Sequence, residues 1–522
     1  MFRRLGCACL LAMLAAGPAW SSSVLIEGAA HPAADVVAMP AGSRELAIQN
    51  LPSIVRDVMR RSGVPGMAVA VVVGDKTVLA QGYGKRRIGE EADVDAQTVF
   101  QIASISKSIS ATVAAIAISD GTLSWNDPVR RYLPGFALSD AYVTQHATIG
   151  DFFAHRTGLP GAAGDDLEDL GFQREDILSR LGQLPLDSFR SSYHYANFST
   201  TVGAQALAAA AGRPFETLAQ ERLFSPLGMA SSSFRYDDFA RRENRAALHA
   251  YKDGGFSPVG IRKADAQAAA GGVSSNVLDL ARWMAMLLSD GLYQGQRILE
   301  PDALLPAVSP QSFSSRAGDM MSRSGFYGYG FNVNTELGGR VSLGHSGAFL
   351  LGAGTSFRIV PSAGVGIVVL SNGAPVGAAE SVVATFVDTV LYGKPTRDWY
   401  GAYHSAMQGF FTPQADLSGK RKPAHPAHAK AFDHYIGQYD NPYFGPATVR
   451  PFNGGLVLEL GPGRMRFPLR HWDGDTFAFE PAGEAGLVDS RASLTFGPQG
   501  ADFTIPFYDA DGQGRWQARR AP

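Results

Sequence analysis

The sequence predicts an α+β chain: an antiparallel sheet flanked by helices, followed by a small all-β antiparallel barrel. Helical and strand-like periods are mixed from Phe100 to about Tyr392. Near the end of that region the strand-like runs Ala353 to Val360 and Val365 to Leu370 lead into a helical run from Val376 to Leu391. Beyond residue 431 only short strand-like segments remain, separated by glycine-rich turns. The 522 residues are 45% hydrophobic and 18% charged, which is enough apolar chain for substantial cores and too long for a single small binding module. Forty-six Lys+Arg against 48 Asp+Glu leave a formal charge of -2, without the basic excess of a phosphate-backbone binder, so nucleic acid is excluded as a partner.

Taken in order, residues 1–21 read as an export signal: Arg3 and Arg4, an apolar stretch from Cys7 to Ala16, then the small-x-small site Ala19-Trp20-Ser21. That stretch is about half the length a bilayer span needs, and no other apolar run is long enough. The mature chain is therefore expected to be periplasmic or secreted, without a stable membrane span. Cys7 and Cys9 are the only cysteines and both lie in the signal, which removes thiol nucleophiles, disulfides and cysteine-bound zinc from the mature protein. Residues 22–45, rich in Ala, Pro and Ser, read as a flexible leader.

Residues 46–393 form the first domain. Leu51, Ile54, Val55 and Val58 recur at helical spacing, and Met67 to Val73 and Thr77 to Gln81 then flank a Gly74-Asp75-Lys76 turn as a hairpin. Helices are predicted from Ser106 to Ser119, from Ser199 to Ala211 and from Val277 to Leu288, the last capped by Asn276 with Asp279 three residues on. Residues 394–431, rich in Pro, His and Lys, read as a linker, and residues 432–522 as the barrel. Its predicted strands are Thr448 to Phe452, Leu456 to Leu460, Met465 to Arg470, Thr476 to Glu480, Ser493 to Phe496 and Phe503 to Tyr508. Phe467, Trp472, Phe477 and Phe479 read as barrel core rather than as the lining of a ligand cavity. His425, His428 and His434 lack an accompanying Asp or Glu set at ligand spacing, so neither a metal nor another cofactor is expected.

Three short motifs carry chemistry. In Ser104-Ile105-Ser106-Lys107 a hydroxyl stands at a helix start, where free backbone N–H groups stabilise developing negative charge, and Lys107 shares its face one turn on. Burial beside Ser104 would make the lysine a neutral amine able to take the serine proton, or a cation that orients the hydroxyl. In Tyr193-His194-Tyr195-Ala196-Asn197, Tyr195 offers a phenol that acts as a base only with a cation nearby, and Asn197 an amide able to hold Lys107 and a substrate amide together. In Gly344-His345-Ser346-Gly347-Ala348, glycine lets a substrate lie against a strand edge, the Ala348 N–H can join that of Ser104 in an oxyanion hole, and His345 can donate to an intermediate or a leaving group. The last motif also comes close to a Gly-x-Ser-x-Gly elbow with Ser346 as nucleophile, but the strand-like sequence after it does not supply the required helix.

In this order the motifs resemble the serine β-lactamase and penicillin-binding protein superfamily, on its class C-like branch of β-lactamase-related hydrolases with a lipocalin-like C-terminal domain. Val64-Pro65-Gly66-Met67-Ala68-Val69-Ala70-Val71, Asp127-Pro128-Val129, His155-Arg156-Thr157-Gly158-Leu159 and Gly271-Gly272-Val273-Ser274-Ser275 add to the likeness, which spans about Ile48 to Tyr392. The resemblance implies a β-lactamase/transpeptidase-like fold, Ser104 as acylated nucleophile, Lys107 as its activating partner, Tyr195 as proton shuttle and Asn197 as amide clamp. It places His345, Ser346, Gly347 and Ala348 along the substrate. His345 stands where β-lactamases of the family carry lysine; a histidine, largely neutral near pH 7, disfavours carboxylate-bearing β-lactams. No Glu-x-x-x-Asn lies between Ser104 and His345, so a glutamate-held water has no candidate. The expected function is an exported serine hydrolase acting on small esters or D-amino-acid peptide amides, with weak β-lactam turnover; the alternative is a sensor or scaffold that is acylated without turning over. The partner is a small-molecule or peptide substrate, and the sequence does not set the oligomeric state.

Overall fold

The computed structural model describes residues 37–519, so the segment read as an export signal, both cysteines and most of the segment read as a leader lie outside the described residues. Helix α1 (Ser43–Ser62) starts three residues earlier than the hydrophobic period suggested and buries Ala47, Leu51, Val55 and Val58 along one face. It leads into the hairpin β1 (Gly66–Val73) and β2 (Lys76–Gly84). Helices α2 (Ile105–Ser119), α3 (Asp165–Asp169), α4 (Asn197–Ala211) and α5 (Val277–Leu288) belong to a helical layer, and Asn276 caps α5 by accepting the Asp279 N–H as expected. The chain then forms β3 (Ser312–Ser315), β4 (Gly325–Tyr327), β5 (Asn332–Thr335), β6 (Val341–Phe349), β7 (Ala353–Val360) and β8 (Val365–Ser371). These complete an eight-stranded sheet in the order β2-β1-β8-β7-β6-β5-β4-β3, with every neighbouring pair antiparallel.

Both faces of the central strands are covered, which is why β1 and β8 read as continuous apolar runs. Val69, Val71, Ile367 and Val369 pack with α1 and with α6 (Ala378–Tyr392). Ala68, Ala70, Val72, Val368 and Leu370 face the other way, into the core shared with α2 and α5. The segment read as a linker carries a helix, α7 (Trp399–Met407), whose buried Tyr400 joins the α1–α6 cluster. Its apolar residues are too few to stand out among the surrounding Pro and charge.

The barrel consists of β9 (Gly437–Asp440), β10 (Ala447–Phe452), β11 (Gly455–Leu460), β12 (Met465–Asp473), β13 (Thr476–Phe479), β14 (Ala492–Phe496), β15 (Asp502–Thr504) and β16 (Arg515–Ala518), with the short helix α8 (Glu484–Leu487) between β13 and β14. It closes through antiparallel pairing of β9 with β16, two strands the sequence reading missed. The predicted Phe503 to Tyr508 strand stops at Thr504 and continues as a 3-10 turn from Pro506, whose ring removes the N–H a ladder needs. Phe467, Phe477 and Phe479 are buried in the barrel, whereas Trp472 is only half-buried, with the Arg491 guanidinium 5.9 Å from its ring centre. Tyr439, Phe496, Phe503 and Trp516 fill the interior ring against ring. The barrel is docked on the helical layer: Arg180 Nη1 donates to Pro442 O at 3.2 Å, and Gly461 sits so close that a Cβ there would lie 2.2 Å from Leu170 O.

Candidate active site

Ser104 stands where an extended segment turns into α2. Phe100 and Gln101 pair with Ser275 and Ser274, and the Ile102 N–H donates to Val273 O at 2.9 Å. The chain then turns through Ala103 at a φ of 47°, a left-handed conformation that costs a non-glycine residue about 1–3 kcal/mol. Ser106 braces the turn: its hydroxyl donates to Ala103 O at 2.6 Å and accepts the Val273 N–H at 3.0 Å. Ser104 occupies the N-cap position, but its side chain makes no capping bond to the helix, which leaves Oγ for other partners.

Lys107 lies one turn on and is fully buried. Its Nζ donates to Asn197 Oδ1 at 2.7 Å, to Ala270 O at 3.0 Å and to Ser104 Oγ at 3.3 Å, and stands 4.5 Å from the centre of the Tyr195 ring. Burial lowers its pKa from the ordinary lysine range to about 7, partly countered by the Asp165 carboxylate. A sizeable fraction is then neutral at neutral pH and able to accept a proton from Oγ. Burial pushes the Tyr195 phenol well above its ordinary value, a shift the hydrogen bond with Ser104 opposes without cancelling. The cation that the sequence required beside Tyr195 is present, and desolvation is the largest effect on the phenol. Burial thus favours the phenol form of Tyr195 and the neutral amine form of Lys107.

Asn197 opens α4. Its Oδ1 accepts from Lys107, while its Nδ2 donates to Asp165 Oδ2 at 3.0 Å and Oδ1 at 3.3 Å. One N–H of the Asn197 amide is thus turned toward a carboxylate at the start of α3. Burial, then the neighbouring Glu168, raise the Asp165 carboxyl well above the usual carboxylate range, and the bond from Asn197 opposes them.

Strand β6 forms the opposite wall. It pairs with β5 only over Val341 to Gly344, so His345 to Phe349 have no strand partner on that side, while the register His345↔Phe357 to Phe349↔Ala353 ties them to β7. His345 and Gly347 face α2. A Cβ on Gly347 would lie 2.3 Å from Ile102 O, 2.4 Å from Thr355 Oγ1 and 3.0 Å from Ser104 N, so only glycine allows the strand to approach the nucleophile turn this closely. The next residue, Ala348, is exposed at the strand edge.

His345 Nδ1 lies 2.6 Å from Ser346 O and must donate to it, because a carbonyl only accepts. Its Nε2 is then an acceptor and takes the Tyr327 hydroxyl hydrogen at 3.0 Å. Burial, with a smaller effect from Lys107, lowers its pKa to about 3. His345 is therefore a neutral imidazole with both nitrogens engaged, and its chemistry here is to hold Tyr327 rather than to donate. Ser346 projects to the other face of the sheet, where its hydroxyl donates to Ser356 Oγ at 3.4 Å. Glu380 at the start of α6 is buried on that face, beside Ser346, and burial raises its carboxyl to about 7.

Ser104, Lys107, Tyr195, Asn197, His345 and Gly347 are thus gathered at one place, with the Ala348 backbone next to them and the Ser346 hydroxyl turned away. Sequence reasoning missed three further members. His155, at a φ of 54°, packs its ring 4.7 Å from that of Tyr195 and 5.3 Å from that of Tyr327, and accepts the Ala196 N–H at 3.4 Å. Burial, then Lys107, keep it neutral, well below the usual histidine range. Tyr327 and Asp165 complete the set. Only His155 lay in a motif the sequence had brought out.

Comparison with known proteins covers both domains. The β-lactamase family model matches residues 51–390, and a domain of unknown function, DUF3471, matches residues 421–513. The unguisins hydrolase ungD' of Aspergillus campestris is 26% identical over 420 residues, covering 76% of each chain. The D-alanyl-D-alanine-carboxypeptidase/endopeptidase AmpH of Escherichia coli K12 is 27% identical over 325 residues, covering 60% of this chain and 81% of the relative. Among solved structures, the octameric penicillin-binding protein homologue from Pyrococcus abyssi aligns at a TM-score of 0.57 and 17% identity over 90% of this chain and 99% of that one. EstCE1, a hydrolase with promiscuous acyltransferase activity, aligns at 0.57 and 18% identity over 67% of this chain and 99% of its own. A β-lactamase/transpeptidase-like fold carrying a closed eight-stranded barrel and a family match across most of the first domain lead to one assignment: the chain belongs to the β-lactamase family and is a serine hydrolase of β-lactamase, penicillin-binding-protein and esterase type.

Proposed function

We propose that the protein is an exported hydrolase that forms an acyl-enzyme at Ser104 and releases it with water, acting on small esters or on amides of D-amino acids. One observation carries this reading: a fully buried Lys107 with its Nζ 3.3 Å from Ser104 Oγ and held in place by Asn197 and Ala270. Neutral Lys107 takes the Ser104 proton as Oγ bonds to the substrate carbonyl carbon. The resulting oxyanion sits between the N–H groups of Ser104 and Ala348. As the carbonyl re-forms, the bond to the leaving group breaks and Tyr195, beside Lys107, relays the proton to it. Water then adds to the acyl-enzyme, giving its proton to Lys107, and the acid departs as Oγ is reprotonated. No step requires a cofactor.

Neutral His345 removes the fixed charge that would favour a carboxylate on the leaving-group side, so β-lactam turnover is expected to be weak. A panel of p-nitrophenyl acetate, D-alanyl p-nitroanilide and nitrocefin, run on wild type and Ser104→Ala, tests the reading. Sustained, Ser104-dependent turnover of the ester or the anilide, at least tenfold above nitrocefin in kcat/KM, is the expected result. A single burst of acylation without turnover of any substrate would point instead to a sensor. Turnover surviving Ser104→Ala would remove the nucleophile from the account.

A further inference from the structure

At the Ala348 end of β6, the hydrolase domain and the barrel bring carboxylates together around one cation. Glu168 and Asp169 come from α3, one turn on from the Asp165 that holds Asn197. Glu484 comes from α8 of the barrel, and its carboxyl meets the backbone N–H groups of Leu350 and Leu351 in the turn after β6. The preceding Gly483 is seated directly on Asp169: a Cβ there would lie 1.9 Å from Asp169 Oδ2. The cation is Arg262, whose Nη2 donates to Glu168 Oε2 at 2.7 Å and whose guanidinium lies 5.1 Å from the centre of the Phe349 ring. Burial raises Asp169 to about 7 despite Arg262, with Glu168 and Glu484 adding to the rise. Three carboxyl groups thus surround one guanidinium.

A second observation points to a donor. Gln267 is 2% exposed and the Glu168 side chain 6%, yet Gln267 Oε1 and Glu168 Oε1 have no hydrogen-bond partner, and Glu484 Oε1 has none either. Gln267 Nε2 is committed to Glu168 Oε2, and its oxygen lies beside Gly271, where an added Cβ would meet it at 3.1 Å and the Phe349 ring at 3.4 Å. A buried acceptor left unpaired costs about 1–3 kcal/mol, and an ammonium group supplies three donors together with a second positive charge. Alongside, a cavity of about 270 Å³ opens at Ala348, lined also by Leu350, Pro375, Phe410, Glu484 and Val488.

The groove has a direction. Tyr195, His345 and Tyr327 cluster at the His345 end of the unpaired β6 edge, where a leaving group is protonated. The carboxylates lie at the other end, on the acyl side.

We propose that Glu168, Asp169, Glu484 and Gln267 form a subsite for the ammonium group of an aminoacyl substrate, and that the barrel completes the active site by contributing Glu484. This rests on Ser104 being the acylated residue. It gives the barrel a role in selection: acyl groups bearing a free amine are preferred, and those with the amine capped are not.

The test compares the p-nitrophenyl esters of D-alanine and N-acetyl-D-alanine, with p-nitrophenyl acetate as reporter of acylation, on the full chain, on Glu484→Gln, on Asp169→Asn and on Asp440→Asn, an exposed barrel carboxylate elsewhere. Wild type is expected to favour the free amine at least tenfold in kcat/KM, and Glu484→Gln and Asp169→Asn each to reduce that ratio at least threefold, with melting curves checking the fold. Asp440→Asn should leave the ratio unchanged. If Glu484→Gln does not fold, the wild-type ratio and Asp169→Asn still decide. A ratio near one in the wild type, with Ser104-dependent hydrolysis of p-nitrophenyl acetate intact, overturns the subsite alone. Loss of neither substrate in Ser104→Ala overturns the hydrolase reading and the subsite with it.

Discussion

Replacing Lys107 with alanine is expected to lower kcat/KM for an activated ester by about 10³-fold, the scale of a lost general base, while Ser104 stays in place. The magnitude follows from the absence of a substitute. Tyr195 is held as a phenol by burial, His155 and His345 are neutral, and His345 spends both nitrogens on Ser346 and Tyr327. The same assignment fixes the pH profile of the wild type. A base must be unprotonated, so with Lys107 at about 7, kcat/KM should be low at pH 5.5, rise through an apparent pKa near 7 and level off above pH 8. Stopped-assay rates from pH 5 to 9 for wild type and Lys107→Ala test both statements. A Lys107→Ala enzyme with more than a tenth of wild-type activity would transfer the proton to another group.

The second large effect is expected from Gly347→Val. The new Cβ overlaps Ile102 O and Thr355 Oγ1, two atoms joined by a 2.9 Å hydrogen bond that anchors the nucleophile turn to β7, and it presses on Ser104 N. Either β6 withdraws or the turn shifts, and both separate the two N–H groups assigned to the oxyanion. The acylation rate should fall by about 10²–10³-fold, the loss typical of one oxyanion donor, with a lowered melting temperature. Gly135→Ala serves as control: nothing lies within 4 Å of its added Cβ, so activity and melting temperature should not move.

Much of this site was legible because its parts are local. Ser104 and Lys107 share one helix face by spacing alone, and the strand character of β6 to β8 follows from apolar runs cut by Pro361 and Gly364. Asn276 announced its helix through a cap three residues long. The rest depends on chain distance. Tyr327 and Asp165 join the site through His345 and Asn197, far from Ser104 in the chain, and neither sits in a pattern that betrays a partner. Strands β3 to β5 are short and rich in Ser, Gly and Asn, so they lack the alternation that marks a half-buried strand. The barrel's closing strands carry their signal in one residue each, Tyr439 and Trp516, flanked by polar neighbours. Asn197 is the instructive case. Its residue type and position suggested an amide clamp; that its amide nitrogen also donates to Asp165 was not legible, because sequence spacing had no means of pairing the two.

The barrel also changes in meaning once its contacts are known. Read alone, it is a closed aromatic-filled module with no evident ligand. Docked, it sets Gly483 against Asp169 and Glu484 against the turn after the oxyanion strand. Removing it would therefore uncover Asp169 as well as expose the surface beneath Gly461.

The central claim is that one serine carries the chemistry, and locating a covalent adduct tests it most directly. After reaction with a fluorophosphonate, peptide mass spectrometry should find the adduct on Ser104, present in Ser346→Ala and absent from Ser104→Ala. An adduct on Ser346, or labelling that persists without Ser104, would contradict the account.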